Sequence, residues 1–301
     1  MARAEVSFES HGSLCRAWHY PPAGVTAAVG TKRPCVVMAH GFGATRDASL
    51  AQYAEHFAGA GLHVLLFDYR HFGASDGQPR QRVSVRRQLQ DYAAAVVHAG
   101  KIAGVDGGRI AVWGTSFAGG HALVIAARVP GVAAAVCQCP MMDGLAAVTE
   151  IMRYAGILQV LRLTGHGLLD LLLSMAGRAH YIPTVGKPGS LAVMASSDAD
   201  AGYRALVPDG FRLEVAARIA LFIGLYRPVS HARSVRCPVL VQICEHDSVA
   251  PASAAEKTLE RLGTYGEARR YPIAHFEPYF GEHFKRSIAD EVEFLVRHLK
   301  P

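Results

Sequence analysis

The sequence has no low-complexity tract, no internal repeat and no long linker, and only 19% of its 301 residues are charged. With 50% hydrophobic residues such a chain buries a core, which excludes a disordered protein. Cysteine is scarce: Cys15, Cys35, Cys137, Cys139, Cys237 and Cys244 lie mostly inside apolar runs such as PCVVMAH and CPVLVQIC. Thiols so placed behave as small buried hydrophobes, which argues against a secreted disulfide framework. Cys137 and Cys139 have no second Cys or His pair at zinc-site spacing. Among 15 histidines neither H-E-x-x-H nor H-x-H occurs, so no metal is expected. The first residues, MARAEVSFESHGS, carry charges and lack the apolar stretch of an export signal, so a cytoplasmic location is expected.

The net charge of +6 is spread along the chain, apart from Arg80, Arg82, Arg86 and Arg87 and the pair Arg269 and Arg270. No nucleic-acid-binding motif accompanies them, so they read as solvated surface and no nucleic-acid partner is expected. The uncharged run from Ile110 to Ala127 approaches membrane-span length, but Gly114-Thr115-Ser116 and Gly119-Gly120-His121 break it into a strand, a tight turn and a helix. No membrane span is expected.

What the chain does contain is alternation. Val6 to Ser10 and Leu14 to Tyr20, around His11-Gly12-Ser13, spell a β-hairpin. Cys35 to Ala39 and Val64 to Phe67 are short, nearly continuous apolar runs, the pattern of strands covered on both faces. Helical spacing of Leu50, Tyr53, Ala54 and Phe57 lies between them, and Val85, Leu89, Tyr92, Ala93 and Val96 mark the next helix. A strand at Ile110 to Trp113, a helix at Phe117 to Arg128 and a strand at Val132 to Cys137 follow. This βαβα order predicts an α/β fold with an open parallel sheet and helices on both faces. From about Met142 to Ser230 it gives way to Leu-, Ala- and Met-rich helical stripes, read as an inserted helical cap. The order resumes with a strand at Pro238 to Ile243, a helix at Ala252 to Leu262, a strand at Ala268 to Tyr271 and a helix at Phe284 to Leu299.

Ligands of an open parallel sheet bind beyond the carboxyl ends of its strands, so the residues directly after each strand carry the chemistry. Gly114-Thr115-Ser116-Phe117-Ala118-Gly119-Gly120 places a serine at the apex of a strand-to-helix turn, with Ala118 where glycine is usual. The string alone is common; its place between strand and helix makes Ser116 the candidate nucleophile. His40-Gly41-Phe42-Gly43 follows the first parallel strand, and the amides of Phe42 and Phe117 can hold a developing oxyanion. His40 itself reads as structural. Cys244-Glu245-His246-Asp247 offers a carboxylate to orient an imidazole; Asp247 is preferred to Glu245 or Asp143 because serine, late acid, histidine is the order this architecture uses. His275, after the last strand, is the candidate general base.

These residues resemble the α/β-hydrolase superfamily over essentially the whole chain. HGFG, the stretch Asp68 to Gly77, GTSFAGG, the Asp247 turn and Ala274-His275-Phe276 occur in that family's order. GTSFAGGH, Tyr226-Arg227-Pro228 and HFEPYFGEHF are similar to its dienelactone-hydrolase-like and X-Pro dipeptidyl-peptidase-like branch, which includes polyketide acyl hydrolases and transferases. The resemblance implies an α/β-hydrolase core over residues 1–141 and 231–301, a cap over residues 142–230, and a Ser116, Asp247, His275 triad that needs no cofactor. The implied activity is cleavage of a small-molecule carboxylic ester through an acyl-serine. Met141, Met142, Leu158, Leu161 and Leu172 are candidate substrate-lining residues, and the Asp68 to Gly77 loop is expected to be structural. Acyl transfer to an alcohol, thioester or amide cleavage by the same triad, and a hydrolase fold that only binds its ligand remain as alternatives.

Overall fold

The computed structural model describes residues 3–23 and 31–301. Strands β1 (Ala4–Ser10) and β2 (Ser13–Tyr20) form the expected antiparallel hairpin, turned by His11 and Gly12 at positive φ. Then follow β3 (Arg33–Ala39), α1 (Ala51–Gly59), β4 (His63–Phe67), α2 (Val85–Ala99), β5 (Val105–Thr115), α3 (Phe117–Arg128) and β6 (Val132–Gln138). The chain leaves this alternation for α4 (Gly144–Met175), β7 (Tyr181–Pro183), α5 (Ala199–Leu206) and β8 (Glu214–Ala216). It returns with β9 (Val239–Cys244), α6 (Ala252–Leu262), β10 (Gly266–Tyr271) and α7 (Gly281–Leu299).

Eight strands make one sheet in the order β1-β2-β4-β3-β5-β6-β9-β10; β2 pairs antiparallel with β1 and β4, and every other pairing is parallel. From β3 the chain steps one way to β4, then crosses back over to β5. Right-handed crossovers in opposite directions put α1 on one face and α2 and α3 on the other. Accordingly α1 packs with α7 and α2 with α3. Every residue of β4 and all but the first of β3 are buried, which is why those strands read as unbroken apolar runs. The reversal of direction between β3 and β5 opens a crevice at their carboxyl ends, so the first glycine-rich loop and Ser116 sit side by side. Ala39 pairs with Gly114 across this register.

Between β6 and β9 the helical reading meets α4, α5 and, after β8, three short 3-10 helices at Ala217–Leu221, Ile223–Leu225 and Pro228–Ser234. Residues 176–198 contain no helix, because Pro183, Pro188 and the glycines 177, 186 and 189 interrupt it, and β7 pairs with β8 as a small separate ribbon. Helix α4 is long and apolar enough to cross a membrane by length and composition. It breaks, however, at Gly156 (φ 76°, ψ 170°), and beyond the break it buries Gln159 and Asp170. Asp170 accepts from Arg218 Nε and Nη2 at 2.6 and 2.9 Å and from the His180 amide at 2.8 Å, a fully satisfied buried ion pair that ties α4 to the segment after β8.

Candidate active site

Ser116 begins α3 at the end of β5 with φ 56° and ψ −118°, a strained conformation for a non-glycine residue. The strain is held by tight backbone packing. The Ser116 amide donates to Gln138 O at 2.9 Å, and its carbonyl accepts from Gly119 and Met141 at 3.0 and 2.9 Å. A Cβ on Gly114 would lie 2.0 Å from Ala118 O, which explains the glycine two residues before the serine. Ala118, where glycine is usual, is fully buried in the core.

His275 and Asp247 converge on this serine from the loops after β10 and β9. His275 Nδ1–H donates to Asp247 Oδ2 at 2.6 Å, and Ser116 Oγ–H donates to His275 Nε2 at 3.0 Å. The tautomer follows from Asp247 being able only to accept. Asp247 is itself oriented by the Val249 and Ala250 amides, which donate to Oδ1 at 2.8 and 2.6 Å. Burial of the imidazole disfavours its charged form, but the Asp247 carboxylate first, then Cys139 and Asp198, outweigh that and raise the His275 pKa to about 9. The fallback acids are placed elsewhere. Glu245 is exposed, and Asp143 caps α4 and pairs with Arg227 at 2.7 Å. The turn after His275 is anchored from below by Tyr53, whose hydroxyl donates to Pro278 O at 2.8 Å, and by a hydrogen bond between Thr115 and Tyr279.

The loop after β3 runs against the serine: a Cβ on Gly41 would sit 3.3 Å from Ser116 Cβ. The Phe42 amide follows directly. The Phe117 amide is the first of α3 and has no partner in the helix's own ladder, at the positive end of the helix. His40 is fully buried; its Nδ1–H donates to Gly41 O at 3.1 Å, and burial lowers its pKa to about 4, which fits the structural role expected of it. The Asp68 to Gly77 loop is likewise internally braced, with Asp68 accepting from the Arg46 and Ala74 amides.

Two apolar cavities meet at Ser116. One, of about 30 Å³, is bounded by Leu50, Met194, Tyr203, Leu206, His275 and Phe276. The other, of about 50 Å³, is bounded by Phe117, Met141, Ile151, Tyr154, Val193 and Val249. Phe42 and Met194 border both. A larger groove along α2 lies away from this site and contains none of the three converging side chains; the hydrogen-bonded residues, not cavity size, locate the chemistry.

The five residues expected to line the substrate space fare unequally. Met141 does line the second cavity, and Met142 is buried without reaching either. Leu158, Leu161 and Leu172 require correction: they are 56, 59 and 60% exposed on the outer face of α4, and none borders a cavity. Periodicity identified residues that share a face but not which way that face turns. Residues not singled out from sequence include Met194, Tyr154 and Tyr203, whose hydroxyl donates to Phe42 O at 2.9 Å and so braces the loop carrying the Phe42 amide. Met194 lies in the irregular segment between α4 and α5, where no local pattern marks it; Tyr203 is in α5, and Tyr154 is in α4 two residues before its break.

Residues 30–275 match the family described as serine aminopeptidase, S33. The quorum-quenching protein AidA of Acinetobacter baumannii is 38% identical over 299 residues, covering 98% of this chain and 95% of that protein. A polyketide transferase of a Penicillium species, grgF, is 33% identical over 144 residues, 48% of this chain and 47% of its own length. The crystal structure of the α/β hydrolase GrgF from Penicillium sp. sh18 superposes with a TM-score of 0.83 over the whole of both chains at 24% identity, a likeness of fold.

Proposed function

The chain belongs to the α/β-hydrolases, in the family described as serine aminopeptidase, S33, and on that premise we propose that it is a serine hydrolase that cleaves carboxylic esters through an acyl-Ser116 intermediate. One observation carries the reading: the unbroken hydrogen-bond chain from Asp247 through His275 to Ser116, 2.6 and 3.0 Å long, ending between two apolar cavities. Ser116 Oγ attacks the ester carbonyl carbon as its proton passes to His275 Nε2. Asp247 holds the imidazole in the accepting tautomer and stabilises the imidazolium. The Phe42 and Phe117 amides receive the charge that develops on the carbonyl oxygen. The imidazolium then protonates the leaving alkoxide as the C–O bond breaks. A water molecule, deprotonated by the same nitrogen, attacks the acyl-serine and releases the acid.

The cavity walls set the substrate class. The cavity beside His275 takes the leaving group, because that is where the departing oxygen must collect its proton; the one beside Phe117 takes the acyl group. Both walls are mostly apolar, which favours small to medium apolar esters. In this reading residues 142–230 form a cap over the core of residues 1–141 and 231–301, contributing Tyr154, Met194 and Tyr203 to those walls. A second reading, transfer of the acyl group to an alcohol, is favoured by the polyketide-transferase relative and by the apolar surroundings of the serine. Turnover of a p-nitrophenyl ester series, with and without added alcohol, tests both. Free acid as the sole product supports hydrolysis, a new ester supports transfer, and no turnover of any ester contradicts both.

A further inference from the structure

Beyond the break at Gly156, α4 is inside out. It buries Gln159, Leu163, Gly167 and Asp170, while Leu158, Leu161, Leu168, Leu172 and Met175 face solvent, Met175 being 81% exposed. A helix whose only partner is its own core shows the reverse arrangement. Of the sixteen exposed large hydrophobic residues among those described, ten belong to α4, and an exposed apolar surface of that extent marks an interaction site.

We propose that this face is a self-association seam through which two copies of the chain pair, with residues 158–175 of the two α4 helices antiparallel. The spacing is the first support. Leu158, Leu161, Gly165, Leu168, Leu172 and Met175 are separated alternately by three and four residues, the a and d positions of a heptad repeat. Self-complementarity is the second. With the two-fold axis midway between Gly165 and Leu168, Leu158 of one copy meets Met175 of the other, Leu161 meets Leu172, and Leu168 seats over Gly165. A Cβ at Gly165 would have nothing within 4 Å, so the chain leaves an open notch at the one place where the paired helix presents a leucine. Charge is the third. Between residues 157 and 175 the acidic and basic side chains are Arg162, Asp170 and His166, the last hydrogen-bonded to His180. Asp170 is buried against Arg218, and the same pairing sets Arg162 opposite Leu171 rather than opposite its own copy. A lipid surface has no use for a notch matched to a leucine. Before the break, the same helix supplies Ala147, Ile151 and Tyr154 to the cavity beside Phe117, so pairing would also steady that wall.

Sedimentation velocity of the full chain across the micromolar range tests the seam. The native protein should sediment at twice its 32.2 kDa, and Leu168→Arg, an exposed substitution, at 32.2 kDa with an unchanged circular-dichroism melt. Gly165→Met fills the notch while favouring helix, and should weaken dimerisation on the order of tenfold or more. Leu161→Cys combined with Leu172→Cys should cross-link into dimers on mild oxidation, and Leu161→Cys alone should not, because antiparallel pairing separates the two copies of residue 161. A native chain that stays at 32.2 kDa overturns the proposal, as does a dimer that survives Leu168→Arg. A monomer that floats with phosphatidylglycerol vesicles and loses this with Leu168→Arg assigns the face to lipid and also overturns it.

Discussion

Replacing Asp247 by asparagine separates the electrostatic from the positional contribution of the acid. In the native protein burial alone would lower the His275 pKa; the carboxylate 2.6 Å from Nδ1, assisted by Cys139 and Asp198, carries it instead from 6.5 to about 9. Since the two side chains are only 3 and 1% exposed, solvent screening is weak, and the shift corresponds to about 3 kcal/mol in favour of the imidazolium. In the proposed mechanism catalysis begins with the neutral imidazole, so native kcat/KM should rise with pH through the alkaline range as His275 loses its proton. In Asp247→Asn the largest favourable charge is gone and burial regains the upper hand. The ascending limb of kcat/KM should then move down by about two pH units, toward or below the ordinary histidine value. At its own optimum the variant should still be slower by about ten thousandfold, because an asparagine amide facing Nδ1 selects the tautomer that presents Nε2–H to the serine. The assay is kcat/KM for a p-nitrophenyl ester, read at the isosbestic wavelength, across the pH range where the fold persists. An unmoved limb with activity within tenfold of native would refute the reasoning, as would a larger loss from Glu245→Gln.

Three further outcomes follow from buried groups outside the site. Glu291 is fully buried, accepts from Trp113 Nε1–H at 3.0 Å and leaves Oε1 unpartnered; burial raises its pKa well above 4.5, so its contribution is present below pH 4.5 and is lost as pH rises toward the folded value. Glu291→Gln keeps the acceptor and removes the titration, so its unfolding free energy from urea titration should gain on the native protein by about 1.4 kcal/mol per pH unit between 4.5 and the folded value; a gain independent of pH would contradict this. Burial lowers the pKa of His19, His40 and His71 to about 4 and that of His121 to about 3; stability is therefore fully present above 6.5 and falls as pH drops from there toward 4. Thermal melts between pH 7 and pH 5 should show a steep fall, and a flat profile would count against it. Asp170→Ala leaves Arg218 buried without its partner and should cost about 3 to 5 kcal/mol, seen as a melting temperature lower by about 10 °C; a change of a degree or two would mean that the pair is solvated.

The parallel sheet was legible because its strands are covered on both faces and so appear as unbroken apolar runs, PCVVMA and VLLF, separated by helices of ordinary period. Ser116, Asp247 and His275 could be singled out because Ser116 directly follows β5 while Asp247 and His275 lie on the short turns that follow β9 and β10, and strand ends are where ligands of this topology bind. The cavity walls were harder to read. Met194 and Tyr203 reach the serine from an irregular stretch whose course depends on contacts with distant residues, such as the Tyr203 hydrogen bond to Phe42 across the crevice. Leu158, Leu161 and Leu172 were assigned to the inside because apolar character is ordinarily turned inward, and they lie on the exposed face of α4. In α4 the inward positions are held by Gln159, which donates to Ser190 O and Ala192 O, and by the Asp170 ion pair, so specific polar partners override the hydrophobic pattern.

In the proposed mechanism His275 makes Ser116 nucleophilic. Labelling the native chain with a fluorophosphonate probe and mapping the adduct by mass spectrometry tests it directly. A single adduct on the peptide containing Ser116, abolished by Ser116→Ala and strongly slowed by His275→Ala while both variants stay folded, is the predicted result. Labelling at another residue, or equal labelling of Ser116 without the imidazole, would contradict it.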